Sequence, residues 1–232
     1  MSDCNTCVVR NRSICSALNG TEIAALSAIT RMRTLAAGES LAWEGQEALL
    51  LANVVAGVLK LSSPTPDGRE QIVGVVYPSD FIGRPFGGAT PFDVVALTEA
   101  RVCMFARSDF DRLAQSHPAL EKKLLERTLD ELDRTRRWML LLGRKSAPQK
   151  LASFLLEMSE RLFQADCDAD NAAPQDHFEL PFSRQQIADI LGLTIETVSR
   201  QFSRLTAGRA IRIPSRRAIT ILNRAALELQ AG

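Results

Sequence analysis

From Pro118 to Lys145 no further proline interrupts the chain. Over that stretch Leu120, Leu124, Leu125, Thr128, Leu129, Leu132, Thr135, Met139 and Leu142 recur at three-and-four spacing with charges between them. This period predicts one amphipathic helix. Pro118 suits its first turn and Pro148 helps to end it. At 1.5 Å per residue it would run roughly 40 Å, more than a small domain needs internally. A helix this long either lies along its own domain or packs on a second copy of itself. It also divides the chain into two regions of different texture.

Before the helix, Leu35 to Phe105 reads as short apolar runs broken by turn residues. Ala52 to Leu61 suggests two strand segments around Gly57, and Pro64-Thr65-Pro66-Asp67-Gly68 is a turn signal. Gln71 to Tyr77, Val94 to Leu97 and Arg101 to Phe105 give further strands, with a Gly/Pro-rich loop from Gly83 to Pro91. Many short strands at regular intervals imply an antiparallel roll or barrel. Thr21 to Met32 is expected to form a short helix capped by Thr21, and residues 1–20 to have little structure of their own.

After the helix, Gln149 to Phe163 is a second amphipathic helix, and Ala165 to Gln175 an acidic loop. Ser183-x-x-Gln186 forms a capping box. A helix from Gln185 to Leu191 follows, then a turn at Gly192, and Thr194 caps a further helix. The inner face of that helix would be Ile195, Val198, Phe202 and Leu205; its outer face offers Glu196, Thr197, Ser199, Arg200 and Arg204. Arginine can donate two bonds to guanine O6 and N7, glutamate can accept from cytosine N4, and serine contacts either base type. A small hairpin, Arg209 to Ile221, carries Arg209, Arg212, Arg216 and Arg217, suited to phosphate contacts. The whole chain has a formal charge of only +1, but from Leu180 to Gly232 eight arginines against three acids leave +5. A basic tail of this kind suits double-stranded DNA.

Cys4 and Cys7 have a C-x-x-C spacing, and Cys15 can reach them by folding back. Cys103, alone in Arg101-Val102-Cys103-Met104-Phe105, reads either as a fourth ligand or as a buried small hydrophobe. Four thiolates suit zinc or an iron–sulfur cluster. A structural zinc site commonly uses two close pairs, so the single distant fourth cysteine leans towards a cluster. Cys167, between Asp166 and Asp168, reads as a bystander. No run of about eighteen apolar residues exists to span a membrane. The N-terminus lacks the pattern of a secretory signal, so a cytoplasmic protein with reduced thiols is expected. No nucleophile, base and orienting group converge as an enzyme would need.

These residues together resemble the CRP/FNR superfamily of bacterial transcription regulators, and within it the Fnr type. Thr194-Ile195-Glu196-Thr197-Val198-Ser199-Arg200 resembles the Fnr recognition helix, and Trp138-Met139-Leu140-Leu141-Leu142 the end of its dimerisation helix. Cys4, Cys7, Cys15 and Cys103 match the order of its four cluster ligands. The resemblance implies an α+β fold: a cysteine-bearing segment (1–20), a β-roll like that of cyclic-nucleotide-binding domains (21–116), a dimerisation helix (117–147) and a winged helix-turn-helix (148–232). It implies a homodimer with one 4Fe–4S cluster per subunit that senses oxygen and controls anaerobic metabolism. It further implies TTGAT-type palindromic half-sites read by Glu196, Ser199 and Arg200, and an RNA polymerase contact after Phe81. The seam of the dimer would hold Leu124, Thr128, Leu132, Thr135, Met139 and Leu142. Arg134, Arg136 and Arg137 stand where the best-known Fnr pattern is acidic, which opposes association unless Asp130, Glu131 or Asp133 pairs with them. Two rivals share the fold. One is a zinc-stabilised regulator. The other is a cyclic-nucleotide-responsive one, which Phe81-Ile82-Gly83-Arg84-Pro85-Phe86, without glutamate, and Val94-Val95-Ala96, without arginine, disfavour.

Overall fold

The computed structural model describes residues 4–64, 70–162 and 175–232. Residues 65–69 of the expected turn, nearly all of the acidic loop, and Cys167 lie outside the described residues. The described residues divide into two compact units, one up to Leu132 and the other from Asp133 onward.

The first unit opens with three short 3-10 turns, Cys4–Thr6, Arg10–Arg12 and Ile14–Ala17. The expectation of little structure here is overturned: Val9, Ile14 and Leu18 are buried, and so is Ser13. Helix α1 spans Gly20–Ala28 and is capped by Asn19, not Thr21. Asn19 and Glu22 form a reciprocal capping box, whereas the Thr21 N–H is one of the donors that Asn19 satisfies. The helix also stops before Met32, because Thr30 already belongs to a strand.

Strands β1 (Thr30–Leu35), β2 (Ser40–Ala42), β3 (Leu50–Ala56), β4 (Leu59–Pro64), β5 (Glu70–Val76), β6 (Phe81–Ile82), β7 (Asp93–Ala96) and β8 (Ala100–Ala106) follow. They form two antiparallel sheets, β1-β8-β3-β6 and β2-β7-β4-β5. Gly57 joins β3 to β4 at φ +81°, and a Cβ there would lie 2.2 Å from the Glu99 carbonyl oxygen. Leu35, Ala52, Val54, Leu59, Val94 and Val102 are among the side chains that fill the roll. Successive strand residues point to opposite faces. Leu51, Val55, Cys103 and Phe105 therefore leave the first sheet on its other face. There they meet Val9, Ile14 and Leu18 of the N-terminal segment and Ile23 and Leu26 of α1.

Helix α2 (Arg107–Ser116), absent from the sequence reading, follows β8 directly and buries Phe110 and Ala114 in the same outer cluster. Helix α3 runs Pro118–Arg144. Leu120 is buried in that cluster and Leu124 packs against it.

In the second unit α4 (Ala147–Arg161) starts with a capping box between Ser146 and Gln149. Pro148 thus opens this helix instead of ending α3. Strand β9 (His177–Glu179), helix α5 (Arg184–Leu191), helix α6 (Ile195–Ala207), strands β10 (Ile211–Arg212) and β11 (Ala218–Ile221), and helix α7 (Arg224–Ala231) complete the chain. The sheet order β10-β11-β9 adds a third strand to the expected hairpin. No helix among the described residues is long and apolar enough to cross a membrane.

Ser183 Oγ accepts from the Gln186 N–H at 3.2 Å, and Gln186 Oε1 accepts from the Ser183 N–H at 2.8 Å. Replacing Ser183 by Ala leaves that backbone donor without its acceptor and should lower stability by about 1 kcal/mol. A urea titration of the variant checks this, with an unchanged slope expected because the exposed surface on unfolding is the same.

Candidate DNA-reading face and cysteine centre

Helices α5 and α6 meet through Ile187, Ala188, Val198, Phe202 and Leu205, all buried. Gly192 ends α5 at φ +60°, a left-handed turn that costs glycine least. Thr194 caps α6 by accepting from the Thr197 N–H at 3.3 Å. The Arg184 guanidinium lies over the Phe202 ring, 3.3 Å from its centroid, and fixes the crossing of the two helices. Burial lowers the pKa of that guanidinium. Spacing alone does not single out Arg184, since a cation over a ring is visible only once the helices cross. Ile195, expected on the inner face, is exposed, and Gln201 is buried.

Glu196, Ser199, Arg200 and Arg204 are exposed along α6. Thr197 is half-buried; its hydroxyl bonds the Thr194 hydroxyl at 3.1 Å and accepts from Arg200 Nη2 at 3.3 Å. It therefore holds Arg200 instead of reaching outward itself. The Glu196 carboxyl is held below its usual range, first by a hydrogen bond to its own backbone N–H and then by Thr194, so it stays an acceptor at neutral pH. Arg209, at φ +54°, follows the end of α6 and is exposed. Arg212 on β10 and Arg216 and Arg217 in the turn before β11 are exposed too. An α6 so mounted presents a polar, charged face that fits a major groove, with arginines flanking it for phosphates.

The four described cysteines are free thiols and share the outer cluster of the first unit. Backbone bonds from Arg10 N–H to the Cys7 carbonyl at 3.0 Å and from Ser13 N–H to the Val9 carbonyl at 2.9 Å reverse the chain. Ser13 Oγ then accepts from the Cys15 N–H at 3.3 Å. Cys4, Cys15 and Cys103 are buried and Cys7 is half-buried. Burial, followed by the neighbouring thiols of Cys4, Cys15 and Cys7, pushes the Cys103 pKa up to about 12. Burial likewise raises Cys15 to about 11, with Cys7 and Cys4 adding to it and the Ser13 hydrogen bond opposing it. The structure thus brings the four sequence-nominated residues into one side-chain cluster. Among the described residues no three metal-capable side chains are drawn close enough to hold a single ion.

The roll encloses a cavity of about 210 Å³. Among the described residues its lining is apolar except for Arg84 and Thr90, and it holds no carboxylate. A ribose and cyclic phosphate need several fixed polar partners, which this lining lacks.

Comparison with known proteins agrees with this architecture. Residues 149–229 match the Crp-like helix-turn-helix domain, and residues 32–117 the cyclic nucleotide-binding domain. The chain is 40% identical to the transcriptional activator protein FnrL of Cereibacter sphaeroides, over 99% of this chain and 92% of that one. It is 39% identical to the nitrogen fixation regulation protein FixK of Bradyrhizobium diazoefficiens, over 90% of this chain and 86% of that one. The solved structure of FixK2 from Bradyrhizobium japonicum superposes with a TM-score of 0.79 at 31% identity, covering 88% of this chain and 98% of that one. The chain belongs to the CRP/FNR family of transcription regulators, a DNA-binding and non-enzymatic family.

Two measurements test the assigned geometry. At pH 8 in metal-free protein, thiols with pKa values of about 11 and 12 are almost wholly protonated. Iodoacetamide should therefore label Cys15 roughly a hundredfold, and Cys103 roughly a thousandfold, more slowly than an ordinary thiol. The rates should climb about tenfold per pH unit until the pKa is passed. Replacing Arg200 by Ala should cost roughly 1–3 kcal/mol of specific binding and relax readout at one base pair. A loss spread evenly over all sequences in a competition assay would reassign Arg200 to the phosphates.

Proposed function

We propose that this protein is an oxygen-responsive transcription regulator of the Fnr type, acting in the cytoplasm as a homodimer on palindromic DNA. The observation that carries the reading is the gathering of Cys4, Cys7, Cys15 and Cys103 in one apolar cluster on the outer face of the roll. Their chemistry fits a 4Fe–4S cluster: the donor set is all thiol and largely shielded from water. Four irons spread their thiolates more widely than one zinc does. A structural zinc site commonly uses two close pairs of cysteines, whereas Cys103 stands alone and distant in sequence, which favours iron over the zinc alternative. When bound, such a group supplies an oxygen-labile redox centre.

The chain's own residues supply the link to DNA. The thiols share their apolar cluster with Leu120 and Leu124, in the first turns of α3. Ligation of Cys4, Cys7 and Cys15 together with Cys103 ties the N-terminal segment onto that face. Without it, the packing of Val9, Ile14 and Leu18 is the main hold on the segment. Further along α3, Leu125, Leu129, Leu132 and Met139 are exposed at four, three and seven residue steps, the spacing of a coiled-coil seam. Thr128, Thr135 and Leu142 flank this stripe. Leu124, assigned to the seam from sequence, is half-buried against the outer cluster instead. Arg136 lies in the stripe and pairs with Asp133 at 3.2 Å. Burial raises the carboxyl pKa of Glu157 on α4, opposed by Trp138, Arg161 and Arg134; Arg134 is thus in electrostatic reach of Glu157, which leaves less positive charge at the seam. A few kcal/mol of bias between ordered and loosened segments suffices to shift such a pairing equilibrium. Pairing two copies then sets two α6 helices one DNA turn apart, with Glu196, Ser199 and Arg200 on TTGAT-type half-sites.

The loop after Phe81 is proposed as the RNA polymerase contact. Its Phe86 is exposed, held at φ +64°, and its N–H donates to Asp111 Oδ1 at 3.2 Å.

Anaerobically purified protein should contain iron and acid-labile sulfide in equal amount, and should lose its visible absorption and its operator affinity in air. Cys103→Ser should fold, hold no iron and bind the operator weakly. Stoichiometric zinc, or equal operator affinity before and after air, would sink the reading. Leu129→Glu should shift sedimentation towards the monomer, since Leu129 is half exposed within its own chain and lies in the stripe assigned to the partner copy.

A further inference from the structure

Asn53 has no evident place in the architecture that surrounds it. It stands inside Leu51-Ala52-Asn53-Val54-Val55, the buried centre of β3, and is 2% exposed. An amide there gives up its bonds to water, and an aliphatic side chain of the same size would pack without that cost. Alternation along the strand puts Asn53 on the outer face, with Leu51 and Val55. Its cross-strand partner in β8 is Cys103. Its Nδ2 lies 3.5 Å from the Cys15 sulfur, 38 residues away in sequence. Its Oδ1 is buried with no hydrogen-bond partner among the described residues. The amide is therefore placed by its donor end. A thiolate can only accept, so a deprotonated Cys15 requires the orientation seen here.

We infer that Asn53 is a positioning residue for the cysteine centre, its side-chain N–H donating to the Cys15 sulfur and holding it beside Cys103 for ligation. This rests on the cluster reading proposed above. An N–H···S bond stabilises negative charge on a ligating sulfur, and such bonds are among the levers by which a protein sets the potential and durability of an iron–sulfur centre. Cys15 has particular need of it. Cys103 is fixed by a strand paired on both sides, with Met32 and Asn53 opposite it, whereas Cys15 sits in a short 3-10 turn. Asn53 lends the rigidity of β3 to the less anchored ligand.

The test uses full-length protein carrying Asn53→Leu or Asn53→Asp, both close in size and neither able to donate as the amide does. Wild type and variants are reconstituted without air, analysed for iron, then exposed to air while the visible absorption is followed. Both variants should lose the chromophore roughly tenfold faster or retain correspondingly less iron, the range typical for loss of an outer hydrogen bond. The unfolding midpoint of the metal-free Asn53→Leu protein should be equal to or above that of wild type. A purely structural asparagine would instead lower that midpoint and leave the decay rate unchanged. Variants as durable in air as an iron-loaded wild type overturn this inference alone. A wild type that takes up no iron overturns the cluster reading, and this inference with it.

Discussion

The sheet β1-β8-β3-β6 carries apolar side chains on both faces, and an antiparallel sheet so built cannot leave either face to water. One face closes on the second sheet to make the roll. The other needs a cover, and three pieces of chain from different parts of the sequence supply it: the N-terminal turns with α1, then α2, then the first turns of α3. The cysteine centre is a product of that requirement. Val9, Ile14 and Leu18 must dock on β3 and β8 to shield Leu51, Val55 and Phe105. In docking they deliver Cys4, Cys7 and Cys15 to the strand that bears Cys103.

In the reading proposed above, the same cover is what would link chemistry at a sulfur to a distant helix face. Leu120 belongs to the outer cluster and Leu124 packs on it, while Leu125, one residue on, is exposed at the start of the open stripe. The two faces of α3 thus have different partners: one is committed to the roll and the other awaits a copy. In the reading proposed above, a change in how firmly the N-terminal segment is held would act on the committed face. The helix is continuous from Pro118 to Arg144.

Much of the fold was legible in the sequence because it was written in short-range signals. The capping box at Ser183 and Gln186, the glycine turn at Gly192 and the period of α3 each depend on neighbours within one or two helical turns. The strands β3, β4, β5, β7 and β8 were legible for the same reason. What escaped was set by partners far along the chain. The helix α2 has too few apolar residues to announce itself, and only the outer cluster makes Phe110 and Ala114 its buried face. Strand β9 forms because β11 offers an edge to pair with. The turns of residues 4–17 look polar in sequence, yet three aliphatic side chains suffice to anchor them once a sheet face is present. Gln201 is buried for a similar reason: a helix that meets both α5 and α4 buries a broader arc than its inner stripe suggests.

The candidate site divides along the same line. On α6 the nominated residues are close in sequence and share a helix face, so spacing alone nearly defines them; only the role of Thr197 as a rest for Arg200 needed coordinates. The cysteine centre joins residue 4 to residue 103, and no periodicity links those positions. Sequence resemblance could nominate Cys103, but it could not show what stands beside it. Asn53 is the clearest instance. In sequence it is a polar interruption of an apolar strand, a feature as easily read as a weak strand as a functional side chain. The register of β3 against β8 and the fold-back of Cys15 turn that interruption into a donor aimed at sulfur. A buried polar group in a sheet otherwise chosen for burial is most economically explained by what it bonds, and here that partner is one of the four thiols.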